Sequence, residues 1–268
     1  MKKKLLSLLF IPAILLTSCK GAKITQDKAK ELANKIVANE DALEGKGTEI
    51  NISLKDDKNS VSYNLVTDKN ENVKFKVKGK TEDESLDFVI YTVKNEEHEE
   101  VAYIKDYNQE TKTYSEHVYS KKDTPEYSTL TSNYTIQALV PLLTIASFAD
   151  PVKVMENDEY KEGEYVDDGV TYNNKVEYFS TGERNLTIEV TQKYVSGKPI
   201  LDEGEKEEDA EYTKEMKLSI TYDNLVIKSV NMSGKSNKGS SMSLKATVNI
   251  NNSLKVELPK NWKDLLNK

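Results

Sequence analysis

Apolar residues recur along this chain in two different periods, and the change from one to the other organises it. Between Thr25 and Asn39, Ala29, Leu32, Ala33, Ile36 and Val37 return at spacings of three and four. That pattern predicts an amphipathic helix, with Thr25 able to cap it and Asp27 well placed in its first turn. From Gly47 the period falls to two. Ile50, Ile52 and Leu54, then Val61, Tyr63 and Leu65, then Val73, Phe75 and Val77 alternate with polar residues, and breaks rich in Asp, Lys and Asn separate the runs. These are consecutive antiparallel strands joined by tight turns. The meander continues through 86–93, 101–107 and 114–119. In 86–93 both parities are apolar, so that strand is expected to be covered on both faces.

Residues 131–150 interrupt the alternation. Ile136, Leu139, Val140, Leu142, Leu143, Ile145, Ala146 and Phe148 surround a helix on nearly every side, the pattern of a buried helix, and Pro141 should kink or split it. The apolar run from 136 to 148 is too short to cross a bilayer, which takes about 20 residues. Strands then resume at 170–179, 186–194, 216–222, 225–232, 242–250 and 254–258, and a short helix around Trp262, Leu265 and Leu266 follows. Two acidic stretches, 156–168 and 202–211, read as solvated, mobile loops. The expected fold class is α+β, predominantly antiparallel β. A large curved sheet, an unclosed half-barrel, would hold the N-terminal helix and the buried mid-chain helix against one face. One β-rich domain is expected over 25–268, with a subdivision near residue 130 left open.

The start of the chain has a different logic. MKKKLLSLLFIPAILLTSC opens with Lys2, Lys3 and Lys4, continues with an apolar stretch from Leu5 to Leu16, and ends in small polar residues and the sole cysteine. That is the three-part architecture of an export signal, too short for a membrane span. Leu16-Thr17-Ser18-Cys19 resembles the bacterial lipobox. The resemblance implies a signal peptide over 1–18, cleavage before Cys19, lipid on its sulfur, and a lipidated tether over 19–24. The folded body would then sit on the extracytoplasmic face of the cell membrane, its partner being that membrane. A lone cysteine cannot form an internal disulfide, so the body must stand on its core.

Composition narrows the chemistry. The formal net charge is −7, and of the 38 basic residues only Arg184 is an arginine. An acidic body short of the residue that best forks onto phosphates and bases points away from nucleic acid. The two histidines, His98 and His117, lie among hydrophilic neighbours and read as surface residues. There is no His-Glu-x-x-His, no Gly-x-Ser-x-Gly and no glycine-rich phosphate loop, and the acidic stretches lack calcium-loop spacing. The sequence is therefore read as that of a non-enzyme without cofactor or metal.

The order of elements, with its lipidated cysteine, N-terminal helix, long meander, apolar mid-chain helix and second meander, resembles the lipoprotein-carrier architecture of the LolA and LppX type. That resemblance implies an unclosed barrel whose concave face holds acyl chains. Here Phe75, Phe88, Ile90, Leu186 and Ile188 would line the sheet, with Ile136, Leu139, Val140, Leu143 and Phe148 on the helix above it. The alternative is that the same side chains fill the core, and that the body is a cell-surface interaction protein meeting another protein or the cell wall through acidic loops and tyrosines.

Overall fold

The computed structural model describes residues 21–39, 45–82, 85–95, 99–125, 127–128, 131, 142–199 and 210–265. The expected signal, Cys19, His98 and most of the second acidic stretch lie outside those residues, as do Ile136, Leu139 and Val140. Helix α1 (Gln26–Val37) begins where the sequence places it: the Thr25 hydroxyl accepts a hydrogen bond from the Lys28 amide at 3.3 Å. Ala29, Leu32, Ala33 and Ile36 form its buried stripe. No helix among the described residues is long and apolar enough to cross a membrane.

Among the described residues, the strands form one unclosed antiparallel sheet of 13. The first meander comprises β2 (Thr48–Asp56), β3 (Ser60–Thr67), β4 (Val73–Lys80), β5 (Ser85–Lys94), β6 (Glu100–Asn108) and β7 (Thr113–Ser120). The second comprises β9 (Val170–Ser180), β10 (Leu186–Gly197), β11 (Thr213–Asp223), β12 (Val226–Ser236) and β13 (Ser241–Ile250). Strand β13 pairs with β2 from Met242↔Asp56 to Ile250↔Thr48, fusing the two meanders into one surface. Two short strands, β1 (Ala22–Ile24) and β8 (Gly163–Asp167), lie one after the other along the outer edge of β9. Together they shield backbone groups that an edge strand would otherwise expose.

One face of the sheet carries the main core. Leu186, Ile188, Val190, Leu218, Ile220, Tyr222, Val230, Leu244, Ala246 and Val248 pack under α1, under a helix at 142–147 (α2) and under α3 (Pro151–Glu156). Asp150 caps α3, accepting from the amides of Val152 and Lys153. The Tyr222 hydroxyl donates to the Phe148 carbonyl at 2.6 Å, tying β11 to the chain just beyond α2. A second cluster, Phe75, Val77, Phe88, Ile90 and Ile104, continues the same face under the first meander.

The structure corrects three expectations. Residues 22–24 are not free tether but strand β1, paired Ala22↔Ser180 to Ile24↔Tyr178. The stretch 156–168 is not a mobile loop. It holds a 3-10 turn (Asp158–Tyr160) and β8, because Tyr160 packs on Phe148 and Tyr165 stacks on Tyr172 between the charges. Residues 254–258 are not a strand. They run extended over the opposite sheet face, where Val256 buries against Val66 and Val93 and its amide bonds the Asp68 carboxylate at 3.1 Å instead of a neighbouring strand. A last short helix, α4 (Trp262–Leu265), follows.

Candidate functional site

The side chains expected to line an apolar cavity divide. Phe75, Phe88 and Ile90 belong to the cluster under the first meander, where Phe75 meets Phe88 edge-on at 5.9 Å and Tyr63 stacks at 6.3 Å. Leu186, Ile188 and Phe148 belong to the main core, between 0% and 3% exposed. Leu142 touches both clusters, whereas Leu143 is 63% exposed and joins neither. The Leu143 side chain points into solvent because Ile145 and Phe148 take the core-facing side of this short helix.

The open side of the molecule is the other face. Alternation turns every second residue of β11, β12, β13, β2, β3 and β4 away from the core, and these are almost all small polar residues or lysines. Cross-strand register aligns them in rows. Lys76 lies beside Asn64, Asn51 and Thr247; Lys78 lies beside Ser62, Ser53 and Lys245; Lys55 lies beside Ser243. The result is a trough of about 520 Å³ with Asn51, Ser53, Ser62 and Asn64 as floor, Lys74, Lys76 and Lys78 along one rim, and Lys245 with Thr247 along the other. A second groove of about 560 Å³ adjoins it, its lining including Lys55, Asp56, Asp57, Glu215, Lys217, Ser233, Lys235 and Ser243.

Hydrogen bonds hold the floor in place. The Asn64 amide nitrogen donates to Asn51 Oδ1 at 2.8 Å and to Glu49 Oε1 at 3.0 Å, and the Ser62 hydroxyl donates to the Lys78 carbonyl at 2.8 Å. Among the described residues no carboxylate lines the trough, although Asp87 stands 4.0 Å from Lys78, whereas Asp56, Asp57 and Glu215 line the second groove, Glu215 pairing with Lys217 at 3.4 Å. Lys55, Lys76 and Lys245 are exposed and make no ion pair among the described residues. Lys74 lies over the Tyr91 ring, 5.5 Å from its centroid.

One flank of this face is covered and the other carries ion pairs. Towards β7, the segment after β13 covers Val66 and Val93. There, Lys105 bonded to Glu116 at 2.7 Å holds that carboxyl below its usual range, and burial together with Glu116 pushes the Tyr103 hydroxyl up to about 12. Towards β1, Lys23 and Lys175 both reach Glu177, at 2.8 and 2.9 Å, and hold its carboxyl down at about 2. His117 is exposed beside Tyr119.

The trough was missed in the sequence because its lysines are spread over strands far apart in the chain. Lys74-x-Lys76-x-Lys78 was the available signal, a period-two run of like charge on one strand face. No protein-family model matches the sequence, and no curated protein matches it. Among solved structures, the PF-8 DNA polymerase accessory subunit from Kaposi's sarcoma-associated herpesvirus aligns over 84% of this chain and 97% of that one. The identity is 8% and the TM-score 0.13, a superposition too loose to carry any argument.

Proposed function

We propose that this chain is a membrane-anchored extracytoplasmic lipoprotein, held by lipid on Cys19, whose body is an interaction domain. One observation carries the second half of the reading: the apolar residues are spent in a helix-covered core, while the grooves lie on the uncovered polar face. A carrier of acyl chains keeps its concavity on the apolar side. Here that side is packed with side chains such as Leu186, Ile188 and Phe75, with a groove of about 280 Å³ between α1 and α3, while Ser, Asn, Thr and Lys border the larger trough on the other face.

Anchoring and body are tested separately. Feeding a bacterial host an alkyne fatty acid should label the full chain and place it in the membrane fraction, and Cys19→Ser should abolish both. Label retained in Cys19→Ser would sink the anchor. Native mass spectrometry of the purified protein should show no acyl ligand beyond the anchor itself. A co-purifying lipid lost on changing Leu142, which touches both apolar clusters, would instead favour the carrier reading.

A further inference from the structure

We infer that the lysine-rimmed trough binds a linear polymer with a phosphate in every repeat, laid along the strand direction between β4 and β13. The inference rests on reading the body as an interaction domain and names the chemistry of its partner.

The first argument is charge. The whole chain carries a formal −7, yet the trough gathers Lys74, Lys76, Lys78 and Lys245 with no carboxylate among its described lining residues, whereas the adjoining groove sets Lys55, Lys217 and Lys235 against Asp56, Asp57 and Glu215. A concave basic strip on an acidic body focuses a polyanion there and repels it elsewhere. Spacing is the second. Alternate residues of one strand stand about 7 Å apart, and the rims, three strands apart, are separated by roughly 14 Å. That leaves a channel wide enough for one polymer chain, with cations repeating along its length.

The third argument is the floor. Ser53, Ser62, Asn51 and Asn64 are short hydrogen-bonding groups that suit phosphate oxygens and leave room above them. Lysine binds phosphate as a point charge and demands no fixed fork geometry, which fits a flexible polymer read by charge. Other partners fit less well. Tyr63, the one aromatic among the described residues lining the trough, already stacks its ring on Phe75, which disfavours the base stacking that single-stranded nucleic acids require. Arginine and tryptophan anchors of the kind that dominate protein interfaces are absent from its lining.

The experiment uses the full lipidated chain in neutral detergent and fluorescent inorganic polyphosphate as the probe, read by anisotropy over a range of salt. Binding is expected to weaken linearly on a log–log plot as salt rises. Lys76→Ser/Lys245→Ser should weaken it about tenfold or more and flatten the salt slope by about two. Lys30→Ser/Lys153→Ser, which removes equal charge from α1 and α3 on the opposite side, should leave binding unchanged. Absence of binding at low salt, or equal losses in both double variants, overturns the proposal. Equal affinity for polyglutamate of matched length overturns its phosphate specificity. Anchoring is read by the fatty-acid label, so a chain that stays anchored and ignores polyphosphate defeats this inference alone.

Discussion

Asp68 is a buried carboxylate, 6% exposed, at the turn between β3 and β4, and it is the clasp for the C-terminal segment. One oxygen accepts from the Asn70 amide at 2.8 Å and the Asn72 amide at 3.1 Å. The other accepts from the Asn72 side chain at 3.0 Å and the Val256 amide at 3.1 Å. Asn72 in turn accepts from the Lys94 amide at 2.9 Å, so one network joins the turn, β5 and the last stretch of chain. Asp68→Ala leaves the buried Asn72 and Val256 amides without this acceptor. At about 1–3 kcal/mol for each unsatisfied buried donor, the loss should be on the order of 3 kcal/mol. For a domain of this size that lowers Tm by about 6–12 °C. Trp262, the sole tryptophan, lies in the same segment and reports its release as a red shift in emission. Burial alone would raise the carboxyl's pKa, but the bonds from Val256, Asn72 and Asn70 outweigh it and hold it below the usual value. A depressed folded pKa stabilises above the unfolded value, about 4, and that contribution fades as pH falls through the folded one. The difference in Tm between the parent and Asp68→Asn should therefore be constant above about pH 5 and narrow below it. Melting of Asp68→Ala within a degree of the parent, with unchanged Trp262 emission, would refute the clasp.

Three further outcomes are expected. Tyr222→Phe removes the hydroxyl that satisfies the Phe148 carbonyl and should cost about 1–2 kcal/mol in urea unfolding with unchanged far-UV dichroism. Gly197→Ala should cost more than about 1 kcal/mol and open the β9–β10 end to protease. The reason is that Gly197 has φ +94°, and an added Cβ would stand 2.2 Å from the Gly169 carbonyl oxygen. Thr25→Ala should lose about 1 kcal/mol of thermal stability, most of it restored by Thr25→Ser.

Much of the sheet was legible because it is half-buried: Ile52, Phe75, Val77, Ile188 and Ile220 obey the two-residue period that one covered face imposes. What stayed hidden depends on partners distant in sequence. Nothing local in β2 or β13 announces that they pair across the whole chain, although that ladder makes one surface of two meanders. β1 is too short for periodicity to register. The β8 hairpin did carry a local signal, Asp168-Gly169, both with positive φ as a tight hairpin turn demands, but it lies inside a run of acids that dominated the reading. The segment at 254–258 alternates like a strand, yet its Val256 amide answers to a side chain. The trough escaped for the same reason as the β2–β13 ladder, since its two rims are Lys76 and Lys245.

Strand β1 also bears on how the body would carry load. Under the proposed anchoring at Cys19, only Lys20 and Gly21 would separate the lipid from Ala22, a reach of about 10 Å at full extension. Such a leash permits little swing, so the β9 edge of the sheet would ride close to the headgroups and a pull on the body would arrive first at β1. That strand is held by the pairs from Ala22↔Ser180 to Ile24↔Tyr178 and by the Lys23–Glu177 contact, and Thr25 follows it as the cap of α1. Peeling it away would release about 10 Å of slack before tension reached the helix. On that proposed anchoring, β1 would serve as a mechanical fuse, yielding ahead of the core.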